Sequence, residues 1–188
     1  MTPKISLDYR VALFTEKVNT KIGPILGFYA VFRIFEVMKK VAVGIIMRDG
    51  EVLACQRKRS VRYPLKWEFP GGKVEDRETV ASAAVRELRE ELSIEAVIDR
   101  EFHRQSWVYP DHAGNGISGK FDVTYLLVRR FTGTLVNHVF EQIRWVTPRA
   151  LLTMDILEGN REAVQRLVRF MDEEHGQHID DPHTDSAQ

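Results

Sequence analysis

Apolar residues gather in two short runs, Val41 to Met47 and Val52 to Gln56, on either side of Asp49-Gly50. An Asp-Gly pair between apolar runs is a hairpin signal, so consecutive antiparallel strands are expected there. Strand-like alternation returns at Phe121 to Arg129, after a glycine-bearing loop at Gly114 to Gly119, and again at Gln142 to Val146. Elsewhere the period is helical. A helix is expected from an N-cap at Thr79 to about Leu92, with Ala84, Val85, Leu88 and Leu92 toward a core. Pro148 to Leu152 starts a short helix, and Arg161 to Met171 is periodic enough for a closing one. Strands mixed with helices from Met38 to Met171 describe one compact α/β domain.

The flanks read differently. Ile5, Leu7, Tyr9, Val11 and Leu13 alternate as in a strand, and Ile22 to Val37 is apolar but broken by Gly23-Pro24, Arg33 and Glu36. It falls short of the roughly 18–20 clean apolar residues of a membrane span, and no small-x-small cleavage site follows it. Residues 1–37 are therefore expected to be an extension, either an accessory helix or the product of a start assigned upstream of Met38. The polar, histidine-bearing tail 172–188 is expected to be disordered; His175, His178 and His183 lack a regular ligand spacing.

Composition narrows the function classes. At 188 residues and 44% hydrophobic content the chain suits one well-buried domain. Lys plus Arg and Asp plus Glu are 27 each, so no net basic field is available to hold a nucleic-acid polymer. Cys55 is the only cysteine, which rules out an internal disulfide and fits a cytoplasmic setting.

Candidate chemistry concentrates in Gly71-Gly72-Lys73-Val74-Glu75 through Val85-Arg86-Glu87-Leu88-Arg89-Glu90-Glu91-Leu92-Ser93-Ile94. Pro70 and the paired glycines favour a tight loop that can approach a ligand closely. On the helix that follows, Glu87, Glu90 and Glu91 share one side. Three close carboxylates repel one another unless cations sit among them, and hard oxygen donors favour Mg²⁺ or Mn²⁺ over zinc. A Glu-x-x-Glu-Glu stretch alone is usually a solvated face; the spacing of Gly72, Glu78, Arg86 and the glutamates around it argues otherwise.

That spacing matches the Nudix box, with Ser93 where the family has its second glycine, and the chain resembles a Nudix hydrolase of the MutT type from about Met38 to Phe170. Trp67-Glu68-Phe69-Pro70-Gly71-Gly72-Lys73 is similar to the MutT stretch that enters the box. Tyr109-Pro110-Asp111 falls at the family's spacing after it. The resemblance implies an α/β/α sandwich around a central mixed sheet and hydrolysis of nucleoside diphosphates linked to another group. It implies metal binding by Glu87, Glu90, Glu91 and the Gly71 carbonyl, with Glu87 orienting or deprotonating the attacking water. Arg86 is expected to hold the glutamates in position, and Glu78 fits a supporting role and a ligand role equally. A further glutamate often completes the family's metal site shortly before a tryptophan; Glu141 precedes Trp145 here, although the commonest spacing lands on Val139.

In MutT-type enzymes that remove 8-oxo-dGTP, an arginine and an asparagine read the base. Arg57 and Asn160 fall at the corresponding places, and Phe69 is a candidate to stack on the base or to sit in the core. His112 stands where that enzyme has another arginine, while Gly133-Thr134-Leu135 looks equally like relatives acting on CTP or modified dCTP. The expectation is a Mg²⁺-dependent pyrophosphohydrolase that cleans the nucleotide pool of 8-oxo-dGTP and so serves DNA repair. A cytidine nucleotide, ADP-ribose or a dinucleoside polyphosphate, or a non-catalytic binding domain, remain as alternatives. The expected partner is a small nucleotide, with neither a nucleic-acid polymer nor a membrane span.

Overall fold

A computed structural model describes residues 38–110 and 117–177; the expectations for residues 1–37, for His112 and for the last residues of the tail lie outside them. The chain divides into two units, one of Lys39–Val108 with Phe121 onward, the other of residues 1–38 with Tyr109–Lys120. The first holds the core and the candidate site.

Strands β1 (Lys39–Arg48) and β2 (Glu51–Gln56) form the expected hairpin, with Asp49 and Gly50 at φ 51° and 79°. Two left-handed positions in a row are what a two-residue turn between twisted strands requires. β1 is central. It runs parallel to β6 (Ile117–Thr132), with Lys39 opposite Phe121 through to Ile46 opposite Val128. Its first half pairs antiparallel with the short β4 (Gly71–Lys73), Val43 opposite Gly71. β2 pairs antiparallel with β3 (Trp67–Glu68) and β7 (Gln142–Val146). With β5 (Glu95–Pro110) beside β6, the sheet has seven strands among the described residues, in the order β3-β2-β1-β6-β5, β4 and β7 joining from the side.

Alternate residues of β1 face opposite ways. Val43, Ile45 and Met47 share a core with Leu151 of α2 (Pro148–Thr153) and Val164 and Leu167 of α3 (Arg161–Gln177). Ile46 packs with Leu88 and Leu92 of α1 (Val80–Leu92), and Ala42 with Ala83 and Ala84. Helices therefore cover both faces of a mixed sheet, the α/β/α sandwich that the resemblance implied. Burying each large aliphatic side chain of β1 contributes roughly 1.5–3 kcal/mol. Gly44 faces α1, where a Cβ would stand 2.8 Å from Leu88 Cδ1, so its lack of a side chain lets α1 lie close on the strand.

Several elements differ from expectation. β5 was not foreseen, because Asp99, Arg100, Glu101 and Arg104 interrupt its alternation and only part of one face is buried. Its charges instead tie it to β6: Arg104 Nε donates to Asp122 Oδ1 at 2.9 Å, and Arg129 lies 3.6 Å from Asp99. β6 begins at Ile117, inside the stretch expected to be loop. In α1 the buried alanines are Ala83 and Ala84, while Val85 is only half-buried. The last helix runs to Gln177 instead of ending near Met171, held by Arg149–Asp172 and Arg129–Glu174 contacts of 2.6 Å each. Among the described residues no helix is long and apolar enough to cross a membrane.

Candidate active site

The two glycines after Pro70 are held between β1 and α1. Gly71 has φ 145°, and a Cβ there would meet Ala42 O at 2.3 Å and Val43 Cα at 2.8 Å. Only a residue without a side chain fits that space against the neighbouring backbone. The Pro70 carbonyl accepts a 2.9 Å hydrogen bond from Gly44 N, which fastens the loop to the centre of β1. At Gly72 the crowding comes from the other side, where a Cβ would lie 2.2 Å from Glu87 Oε1. The glycine thus lets the Glu87 carboxylate rest directly on the loop backbone.

The helix that carries the acids is fixed at both ends. Thr79 and Ser82 form a reciprocal capping box, Ser82 N donating to Thr79 Oγ1 at 3.1 Å and Thr79 N to Ser82 Oγ at 2.9 Å. At the exit Ser93 takes the left-handed conformation, φ 57° and ψ 31°, that the family's glycine would occupy more easily. Its N–H reaches Arg89 O at 3.0 Å, its hydroxyl is 2.6 Å from His138 Nε2, and His138 N donates to Glu91 O at 3.0 Å. The serine substitution leaves the turn intact because the following loop supports it.

Arg86 organises the acidic face. Its Nε and Nη2 donate to the two oxygens of Glu78 at 2.8 and 3.0 Å, and Nη2 also reaches Lys73 O at 3.0 Å. Nη1 donates to Glu87 Oε1 at 2.9 Å and to Glu90 Oε2 at 3.4 Å. Glu78 is additionally held by Glu75 N at 3.0 Å, so it serves as the anchor of Arg86 and its carboxyl is kept below the usual range, first by the Arg86 hydrogen bonds. Glu91 lies deeper and accepts from Gly71 N at 2.9 Å. Burial, and then the charges of Glu87, Glu68 and Glu90, push its carboxyl up to about 8 despite that hydrogen bond. Glu90, by contrast, is 59% exposed.

Glu68 is a member of this acidic neighbourhood that sequence reasoning missed. Burial raises its carboxyl, opposed by the charge and hydrogen bonds of Arg57, and together with Glu91 it helps burial push the Cys55 thiol well up. The signal was present, an acid between Trp67 and Phe69 entering the glycine loop, but nothing local to the sequence shows that it turns inward. Among the described residues no three acid, imidazole or thiol groups converge on a single point, since Arg86 and Gly71 N hold the glutamates. The donor set nevertheless fits a hard divalent cation: three carboxylates within one turn and a half of helix, beside a glycine loop, with oxygen donors only.

Of the residues expected to read the base, Arg57 stands at the entry to the glycine loop, against Glu68, and Asn160 on the turn before the last helix. Arg57 Nη1 donates to both oxygens of Glu68 at 2.8 and 2.7 Å and Nε donates to Arg62 O at 2.9 Å, which leaves Nη2 as the end turned to no described partner. Phe69 is 3% exposed and belongs to the core, its ring edge-on to Tyr125 at 6.5 Å between centroids. It has no open face on which a base could stack. Asn160, at the end of a short turn (Glu158–Asn160), is buried, and its side chain lies 2.8 Å from the Tyr125 hydroxyl, which is also 2.8 Å from Gly159 O. Gln105 Nε2 donates to the same Gly159 carbonyl. Glu141, at the start of β7, is exposed with its carboxylate 3.9 Å from Arg59, and no described contact joins it to the helix acids. Tyr125 and Gln105 had not been singled out; both are strand residues without a motif around them.

The NUDIX domain family matches residues 38–167. The CTP pyrophosphohydrolase of Escherichia coli is 35% identical over 127 residues, covering 61% of this chain and 80% of the relative. The 8-oxo-dGTP diphosphatase of Escherichia coli is 30% identical over 136 residues, covering 71% of this chain and 100% of the relative. Among solved structures, that of the Escherichia coli ORF135 protein superposes with a TM-score of 0.61 at 31% identity, covering 71% of this chain and 90% of the other.

Proposed function

This chain belongs to the NUDIX domain family, and from that premise we propose that it hydrolyses nucleoside triphosphates to the monophosphate and pyrophosphate, with 8-oxo-dGTP as leading substrate. The observation that carries the reading is the contact between loop and helix: Gly72 bare against Glu87, Gly71 N on Glu91, and Arg86 binding Glu78, Glu87 and Glu90 together. Acids held this tightly around a glycine backbone suit phosphoryl chemistry, where positioning and charge stabilisation do most of the work.

The carboxylates of Glu87, Glu90 and Glu91 and the Gly71 carbonyl would hold a divalent cation, Mg²⁺ or Mn²⁺. When bound, that cation would supply positive charge against the phosphoryl oxygens and acidify the attacking water. Glu87, pressed on Gly72, takes the proton from that water. The water oxygen bonds to the β-phosphorus, and the bond from β-phosphorus to the bridging oxygen breaks, leaving that oxygen on the nucleoside monophosphate. Arg86 keeps Glu87 and Glu90 aimed at the loop and touches no reacting atom. Glu78 in turn holds Arg86. Arg57 through Nη2 and Asn160 through its amide face the base, while Phe69 supports Tyr125 from within the core. Glu141, exposed beside Arg59, is the further candidate ligand for that cation. The single buried cysteine suits a reducing cytoplasm, where such a nucleotide pool lies.

A cytidine nucleotide is the second reading, favoured by the CTP pyrophosphohydrolase being the more similar of the two relatives, 35% against 30% identical. The test is kcat/KM with Mg²⁺ across 8-oxo-dGTP, dGTP, CTP, 5-methyl-dCTP and ADP-ribose, with products identified. A strong preference for 8-oxo-dGTP is expected, with activity abolished by a chelator and restored by Mg²⁺ or Mn²⁺. Glu87→Gln is expected to lose roughly 10²–10⁴-fold in kcat while remaining folded. Near-normal turnover by folded Glu87→Gln would remove its proposed role, and preference for CTP would exchange the first substrate reading for the second.

A further inference from the structure

The Tyr125 hydroxyl stands 2.8 Å from Gly159 O and 2.8 Å from the side-chain oxygen of Asn160. A hydroxyl has one proton and therefore cannot donate to both. With the Asn160 oxygen turned toward it, one of these short oxygen–oxygen contacts carries no proton and is repulsive. The two ends of a side-chain amide are told apart only by their partners, and turning this amide over resolves the conflict. Asn160 Nδ2 then donates to the Tyr125 oxygen, and Tyr125 donates to Gly159 O. Gln105 Nε2, 3.4 Å from the same hydroxyl, occupies its remaining acceptor position and also donates to Gly159 O, whose carbonyl can take two donors. Every polar atom turned toward the Tyr125 hydroxyl is then satisfied.

The cluster is also closely packed. Tyr125 is 1% exposed, crossed edge-on by Phe69 and stacked on His103 at 5.8 Å between centroids, and it sits opposite Val43 in the parallel ladder of β1 and β6. Among the described residues no sealed side-chain nitrogen or oxygen lacks a partner, and the outer end of the Asn160 amide has none, so that end is open.

We infer that Tyr125 is a specificity-determining residue: it turns Asn160 so that its carbonyl oxygen faces the ligand, and the site selects bases whose facing edge carries an N–H donor. The inference rests on the reading that Asn160 meets the base. It predicts preference within two pairs that differ at such a position. In 8-oxo-dGTP N7 carries a hydrogen that dGTP lacks, and in dCTP a 4-amino group stands where dUTP has an oxygen.

The experiment measures kcat/KM for both pairs with wild type, Asn160→Ala, Tyr125→Phe and the double variant Tyr125→Phe/Asn160→Asp, with thermal unfolding of each. Wild type is expected to favour the donor-bearing member of whichever pair it turns over. Tyr125→Phe keeps the ring and loses the hydroxyl, and is expected to lower that preference about tenfold, the discrimination of one hydrogen bond. The double variant is expected to restore it, since a carboxylate presents an acceptor from either oxygen. If Asn160→Ala leaves the preference unchanged, Asn160 does not read the base and the inference falls with that assignment. If Asn160→Ala abolishes the preference while Tyr125→Phe retains it, the assignment stands and the role of Tyr125 is overturned.

Discussion

Gly71 and Gly72 are adjacent and chemically identical, yet their neighbours give them different tasks. At Gly71 an added Cβ would strike the backbone of Ala42 and Val43 at positive φ, so Gly71→Ala is expected to cost about 1–3 kcal/mol or more and to lower the melting temperature visibly. At Gly72 the Cβ would strike only the tip of the Glu87 side chain, which can swing aside. Gly72→Ala is therefore expected to melt close to wild type and to lose activity, because Glu87 is displaced from the loop. Equal loss of stability in the two variants would contradict this division. Such a distinction cannot be read from the letters Gly-Gly. The same limit explains Phe69, whose motif suggested a base-stacking face but whose ring the core covers, and Glu68, whose inward turn depends on Arg57 being opposite.

At the scale of elements, α1 was the most legible, because its period, its cap and its acids all lie within one stretch of chain. Thr79 was expected at the N-cap and is there, and Thr79→Ala should cost about 0.5–2 kcal/mol of stability, measured by denaturant unfolding, with kcat nearly unchanged since the acids lie two turns on. Its exit was less legible. Ser93 adopts the left-handed conformation through His138, which is far away in sequence, so His138→Ala is expected to destabilise the turn and to lower stability by about 1 kcal/mol. β5 was invisible for a related reason: an edge strand whose charges pair with the next strand has neither clean alternation nor a continuous apolar run. β3 and β4 are so short that only their partners, β2 and β1, make them strands.

At the scale of the whole molecule, the edge strand β5 is tied to β6 by charge, and this tie responds to acid. Asp122 on β6 has its carboxyl held below the usual value, chiefly by the hydrogen bonds from Arg104 on β5, against a smaller opposing effect of burial, with the charges of Arg104 and Lys40 adding to it. The unfolded chain binds this proton more readily than the folded one. The pair therefore contributes stability above the ordinary carboxylate value and loses it as pH falls through the lower folded value. The stability difference between wild type and Asp122→Asn is expected to be largest near neutral pH and to shrink as pH falls below the ordinary carboxylate value; a gap that widened in acid would refute the linkage. The sequence by itself determined the hairpin, the acidic helix and the glycine loop, because each is written within a few neighbouring residues, and its mixture of helical and strand-like stretches marked an α/β domain, while the sandwich followed from the resemblance. Only the tertiary structure decided that Glu78 anchors Arg86, that Glu68 joins the acids, that Arg57 is half-engaged and that Tyr125 meets Asn160, because those relations join residues 8 to 35 positions apart and depend on how sheet and helices bring them together.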